Sequence, residues 1–502
     1  MDNIIIPIKR KEEGWRKKLL ANLRQLVLIE KLNNPVGITV LTVLSLLVAL
    51  GIAKLGFIFG VLCMIVVIAL PAVYTIVMYP RIGMIIYLTM AYLIMWFLRL
   101  GVNFPLGTLM DGMEGLFILG LLIRQKQKPD WKIFKGPISV WILVWISYNL
   151  LEFANPTAES RLAWVYTVRS VAVVMFMYFI FVYNIRTKAY VKLIIKLWLG
   201  LAFFGAAYAF KQEHFGFFPF EEAYLHSDPN IALLLFIGGT WRKFSIFSDP
   251  VVFSYTMVVS SMLCVGLLTG PLSLKKKLVL YFLIGFFLLN MLYSGTRGAD
   301  VLPPVCLLLL AILKYNKKVL IMLLVGAGLM ATLIFLPTGN QTLGRFQSAF
   351  KPSNDASFNV RKINQKRIQP YILSHPLGGG LGATGEWGQR FAPYSFLASF
   401  PPDSGYVRVA VELGSIGLFL FCMLMFTILR VGINNYYSIK DPQLKSFCLA
   451  MVLIVFAFNI GNYPQEALVQ FPSNVYFYLV TALIVVIKRI DDQQNQQLQH
   501  GQ

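Results

Sequence analysis

The chain has 502 residues, 57% hydrophobic and only 14% charged, with a formal net charge of +22 and a mean hydropathy of +0.67. A soluble protein of this length needs far more charge to cover its surface, so composition excludes that class and points to an all-α polytopic integral membrane protein. In such a protein the positive balance reads as Lys- and Arg-rich cytoplasmic loops, and no nucleic-acid partner is expected.

Residues 1–35 hold Lys9, Arg10, Lys11, Arg16, Lys17 and Lys18 before any long apolar run, with no signal-peptidase pattern. They read as a basic cytoplasmic segment. Residues 36–336 carry apolar runs near 36–53, 56–79, 82–98, 108–123, 137–153, 164–185, 193–210, 250–269, 278–293, 299–313 and 319–336, the predicted transmembrane helices 1–11. A polar loop at 337–404 follows, then helices 12–14 within 405–489, near 405–429, 446–461 and 472–487. The total is about fourteen spans of the length a bilayer requires, and the Gln-rich tail 490–502 reads as disordered.

An even number of spans puts both termini on one side, and the N-terminus is placed inside, in the cytoplasm. Every connection then assigned to that side contains Lys or Arg, as the positive-inside rule demands. The opposite-face segments nevertheless hold Arg161, Arg242, Arg297, Arg345, Arg361, Arg367 and Arg390. Arginine there needs a separate reason: a phosphate-bearing ligand, or ion pairs with neighbouring carboxylates. The five cysteines, Cys63, Cys264, Cys306, Cys422 and Cys448, all lie in apolar runs without disulfide or zinc spacing, and no metal centre is expected.

Taken in order, the first motif is Trp241-Arg242-Lys243 with Phe247-Ser248-Asp249-Pro250. Ser and Asp before a proline suit a helix start, so capping competes with catalysis for Ser248 and Asp249, and capping is favoured. Next, Ser294-Gly295-Thr296-Arg297-Gly298 sits between two apolar runs. It is either a tight turn that brings Arg297 to a ligand or an ordinary connection with a snorkelling arginine.

Within the loop, Arg361 opens a basic stretch, and residues 363–373 have the pattern of a short amphipathic surface helix. His375 begins His375-Pro376-Leu377-Gly378-Gly379-Gly380-Leu381-Gly382, a turn that lacks the Lys-Ser/Thr of a nucleotide P-loop. Asp403 is placed to take a proton from a hydroxyl, or with Ser404 to cap the following helix. Four residues apart on that helix, Arg408 and Glu412 share a face and are expected to pair or to line a polar cavity.

The order of these motifs resembles the O-antigen ligase and polymerase superfamily of bacterial envelope glycan enzymes, best over residues 240–420. The resemblance implies a metal-independent, inverting glycosyltransferase of the inner (plasma) membrane, without cofactor, acting on the periplasmic or outer face. Its donor would be an undecaprenyl-diphosphate-linked glycan and its acceptor a glycan or lipid. Arg242, Arg297 and Arg361 would bind the diphosphate, with Asp403 catalytic beside Arg297 and Arg361. His375, Ser404, Arg408 and Glu412 are secondary candidates.

One position departs from the family's ligase pattern. Asp403 stands where ligases carry His, while Ser404, Gly414 and Gly417 match. That tilts the expectation toward a polymerase of O-antigen or exopolysaccharide repeats. The alternatives are a ligase that attaches finished glycan to lipid or protein, and a transporter of lipid-linked sugar. Polar residues gathered at one face, and the lack of a clear internal repeat, favour surface chemistry over transport.

Overall fold

The computed structural model describes residues 35–55, 71–101, 106–237, 239–339, 341–350, 356–469 and 471–500. The basic segment 1–34 and most of the expected second span, 56–70, lie outside the described residues. The chain divides into two compact units, Met1–Tyr74 and Thr75–Gln502. In the first, α1 (Pro35–Leu55) is an apolar helix with a single basic residue in its last turn, Lys54.

The second unit continues with α2 (Pro80–Arg99), α3 (Leu106–Gln127), α4 (Pro137–Leu151) and α5 (Arg161–Asn184), the last carrying a π turn at Arg169–Val173. Helix α6 (Lys188–His214) leads to the short α7 (Pro219–Leu225) and α8 (Pro229–Leu235). A small antiparallel hairpin follows, β1 (Phe236–Ile237) with β2 (Thr240–Trp241), in which Phe236 pairs with Trp241.

Next come α9 (Pro250–Leu268), α10 (Leu274–Tyr293), the single turn α11 (Arg297–Asp300), α12 (Leu302–Leu313) and α13 (Lys317–Phe335). The polar loop folds as α14 (Gln341–Ser348), α15 (Ala356–Ser374) and α16 (Gly385–Phe391). The chain then forms α17 (Gly405–Ser438), α18 (Pro442–Gly461) and α19 (Ser473–His500).

Among the described residues, ten helices are long and apolar enough to cross a membrane: α1, α2, α4, α5, α6, α9, α10, α17, α18 and α19. This is a multi-pass membrane protein of the all-α class, with the one short hairpin as its strand content among the described residues. The expected fourth, tenth and eleventh spans appear as helices α3, α12 and α13, which are not among those ten. Helix α3 carries Asp111 and Glu114, α12 has 12 residues, and α13 contributes the shorter apolar run Leu324–Phe335.

Helices α9, α18 and α19 are the most enclosed, and α9 packs along α10 and α18. Small residues allow the close approach: a Cβ at Gly266 of α9 would lie 2.4 Å from the Ala450 Cα of α18. Helix starts follow local chemistry. Asp249 caps α9 by accepting from the Val251 and Val252 amides at 2.8 and 3.0 Å, with Pro250 in the first turn.

The expected disordered tail is corrected, because α19 runs through residues 490–500 as helix. Asp491 is buried and accepts from the Lys440 and Asp441 amides at 3.1 and 2.9 Å. Arg489 donates to the Val182 and Ile185 carbonyls at 2.8 and 2.7 Å. These tertiary anchors hold a sequence of helix-compatible Gln and Asp residues that composition alone reads as disordered.

Candidate functional site

The arginine cleft forms where the hairpin, the turn after α10 and α14 meet. Its volume is about 570 Å³, and its lining includes Arg242, Lys243, Gly295, Arg297, Arg345 and Glu213. The residue after β2, Arg242, is locked in place. Its Nε donates to the Ser294 carbonyl at 2.8 Å, Nη2 to Thr296 Oγ1 at 2.8 Å, and Nη1 to the Leu234 carbonyl at 3.3 Å. Lys243 pairs with Glu213 at 3.1 Å and also donates to the Trp241 carbonyl.

The turn at 294–298 is tight, with Gly295 at φ 56°. A side chain there would begin 3.0 Å from the Arg345 side chain, so glycine makes room for that arginine. Burial pushes the Arg242 guanidinium down to about 10, and the Arg345 and Arg297 charges press the same way. Three guanidiniums and one ammonium against the single carboxylate of Glu213 make a lining complementary to a polyanion such as a diphosphate.

Of the three arginines expected from sequence, Arg242 and Arg297 share this cleft, and Arg361 is not part of its lining. Arg361, on α15, makes no hydrogen bond or ion pair among the described residues. It lies close enough to Tyr255 to act electrostatically on its hydroxyl. Tyr255 in turn donates to the Gly461 carbonyl at 3.0 Å and packs against Gly298, the neighbour of Arg297.

Sequence reasoning placed Arg345 among the opposite-face arginines but gave it no role. The signal was its polar neighbourhood immediately after a span; no spacing pattern tied it to Arg297.

The start of α17 forms a second polar centre. Ser404 is its N-cap, accepting from the Val407 amide at 3.5 Å, and Gly405 donates to the Asn462 carbonyl at 2.9 Å. Capping therefore falls to Ser404. The Asp403 carboxylate, half-buried beside it, makes no hydrogen bond or ion pair among the described residues. Arg408 bridges two carboxylates, Glu412 at 3.1 Å and Glu466 at 2.7 Å.

Glu412 also accepts from the Gly382 amide at 3.0 Å, the Thr384 amide at 3.3 Å and the Thr384 hydroxyl. It thereby braces the glycine-rich turn against α17. Burial raises the Glu466 carboxyl above its ordinary range, with Arg408 opposing. His375 stacks on Tyr371 at 4.0 Å, and its Nδ1 lies 3.0 Å from the Tyr371 carbonyl oxygen and 2.9 Å from Ser374 Oγ. All three of those contacts are to the last turn of α15, the helix it follows.

The connection 461–467 joins the two centres. Gly461 receives the Tyr255 hydroxyl, Pro464 packs on Gly298, Asn462 receives Gly405, and Glu466 holds Arg408. Glu466 was not among the residues singled out from sequence, since a lone Glu in a short inter-helix connection carries no motif. No group of three or more His, Cys, Asp or Glu able to hold a metal ion occurs among the described residues.

Residues 280–422 match the family model described as O-antigen ligase. That stretch contains Arg297, Arg345, Arg361, His375, Asp403, Ser404, Arg408 and Glu412, and leaves Arg242 outside. The match supports the O-antigen ligase and polymerase superfamily that the motif order resembles. No curated protein matches the chain.

Proposed function

We propose, with the O-antigen ligase region as premise, that the protein transfers a glycan from an undecaprenyl-diphosphate carrier to a sugar hydroxyl. The transfer occurs on the outer face of the bacterial inner membrane and polymerises O-antigen or exopolysaccharide repeats. The observation that carries this reading is the convergence of Arg242, Arg297 and Arg345 on one cleft. Leaving-group charge there meets fixed donors in a partly enclosed site, where electrostatic stabilisation is strongest.

In this reading the diphosphate of the donor rests among those arginines, and Arg361 reaches it from α15. The bond between sugar C1 and the diphosphate oxygen breaks, and the electron pair leaves with the diphosphate. The acceptor hydroxyl forms the new C1–O bond from the opposite face, inverting C1, and its proton passes to Asp403. The chemistry asks for no metal: guanidiniums neutralise the leaving group, and a carboxylate takes the proton.

A ligase is the second reading, favoured by the description of the matching family. Asp403 in the position of the ligase His supports the polymerase instead. Transport loses its main sequence argument, because the Arg408–Glu412 pair has a structural duty in bracing the glycine-rich turn.

The test is a glycan and carrier-lipid profile of a deletion strain complemented with wild type or Arg297→Ala. Loss of long chains, with single repeats still reaching the acceptor, is the polymerase result. Long chains stranded on the carrier mean ligase. Repeats accumulating on the cytoplasmic leaflet would overturn the enzyme reading in favour of transport.

A further inference from the structure

A second cavity, of about 430 Å³, opens beside the first turns of α17. Its charge balance is opposite to that of the arginine cleft. Glu386, Glu412 and Glu466 face one guanidinium, Arg408, and none of the arginines assigned to the diphosphate lines it. A lining that is negative on balance repels phosphate and suits a neutral, hydroxyl-rich ligand whose O–H groups donate to carboxylates.

Two groups in the lining have bonding capacity to spare. Glu466 gives Oε2 to Arg408 at 2.7 Å, and its Oε1 makes no hydrogen bond among the described residues. Trp145 is 2% exposed, and its indole N–H has no partner among the described residues. A buried donor left unmet costs free energy, and its residue is one of those that line the cavity. Aromatic rings in the lining, Trp387 and Tyr478 with Trp145, offer apolar surface for the C–H faces of a sugar ring. The volume falls within the range of about 300–1,000 Å³ usual for small-molecule sites.

The position also fits. Pro402 and Gly405, which flank Asp403-Ser404, both line the cavity. A ligand seated there lies against the segment that carries Asp403, to which the transfer reading assigns the proton. We infer that this cavity is the acceptor subsite, which holds a sugar unit of the acceptor glycan through Glu466 and the Trp145 indole and presents its hydroxyl to Asp403. The inference rests on the glycan-transfer reading and adds to it a second site, separate from the carrier site.

The experiment uses the full-length protein in lipid nanodiscs and two probes. One is the delipidated oligosaccharide repeat released from the host's own envelope polysaccharide, followed by saturation-transfer NMR; the other is undecaprenyl diphosphate without glycan. The variants are Glu466→Gln and Trp145→Phe, each checked for a wild-type melting profile, with Arg297→Ala as the control for the other site. The expected result is saturable oligosaccharide binding that weakens about tenfold in each variant, the value of one good hydrogen bond. Carrier binding stays unchanged in those two, and Arg297→Ala does the reverse.

Absence of oligosaccharide binding to the wild type, or equal binding by wild type and both variants, overturns the inference whatever the carrier does. Oligosaccharide binding that is lost in the variants, in a protein that does not bind undecaprenyl diphosphate, upholds the sugar site and sinks the carrier reading. The two failures are thus told apart.

Discussion

A side chain at Gly414 would begin 1.9 Å from the carbonyl oxygen of Pro376. Gly414 adopts φ 68° and ψ −170°, which breaks α17 into two helices at that point. The break admits the glycine-rich turn. The Gly379 amide donates to the Val411 carbonyl and the Gly380 amide to the Glu412 carbonyl, both at 2.9 Å. Two motifs far apart in sequence are therefore the two halves of one joint, and it positions the first turns of α17, which Ser404 caps beside Asp403.

Gly414→Ala should accordingly destabilise the protein by about 3 kcal/mol or more, since that backbone region is open essentially to glycine alone. Thermal melting in detergent measures it. A wild-type melting curve would show that the joint is not where the strain falls.

Glu412→Ala should act on the fold before it acts on chemistry. It leaves Arg408 with one partner fewer in a buried cluster and frees the Gly382 and Thr384 donors. Breaking a buried ion pair costs about 3–5 kcal/mol. Hydrogen exchange should speed up across residues 376–384, and unchanged protection there would remove Glu412 from its bracing role.

How much of this was legible in the sequence follows from which forces act locally. Span-length apolar runs, the Asp249-Pro250 helix start and the i, i+4 pairing of Arg408 with Glu412 depend on neighbours in sequence, and each appears in the structure. The helical tail was not legible, because Asp491 is held by amides of Lys440 and Asp441 across a helix junction. The role of Arg345, and Glu466 altogether, were missed for the same reason: Arg345 meets the arginine cleft through tertiary packing, and Glu466 meets Arg408 from another connection. The span count stayed legible only as apolar runs: α12, for one, is a helix of 12 residues.

The arginines should separate by what holds them. Arg361→Ala removes no hydrogen bond among the described residues, so stability should stay within about 0.5 kcal/mol while transfer falls about 10²–10³-fold. Arg242→Ala removes bonds to the Ser294 and Leu234 carbonyls and to Thr296. It should therefore lower both stability, by about 1–3 kcal/mol, and transfer. Parallel melts and initial rates decide this; a large melting shift in Arg361→Ala would mean that its role is structural.

Asp403→Asn keeps the size of the side chain and removes the proton acceptor. The turnover number should drop by about 10²–10⁴-fold, with KM for the carrier-linked donor nearly unchanged, because the diphosphate cleft is untouched. A variant that turns over normally would return the proton transfer to another group, and Glu466 would be examined next.

On the transfer reading, the arginine cleft holds the carrier diphosphate while the glycan leaves it. Purified protein in nanodiscs, given undecaprenyl-diphosphate-linked repeat, should release undecaprenyl diphosphate together with a lengthened glycan. Arg297→Ala, folded to the same melting temperature, should release about 10²–10³-fold less per unit time. Release at the wild-type rate by Arg297→Ala would contradict the account.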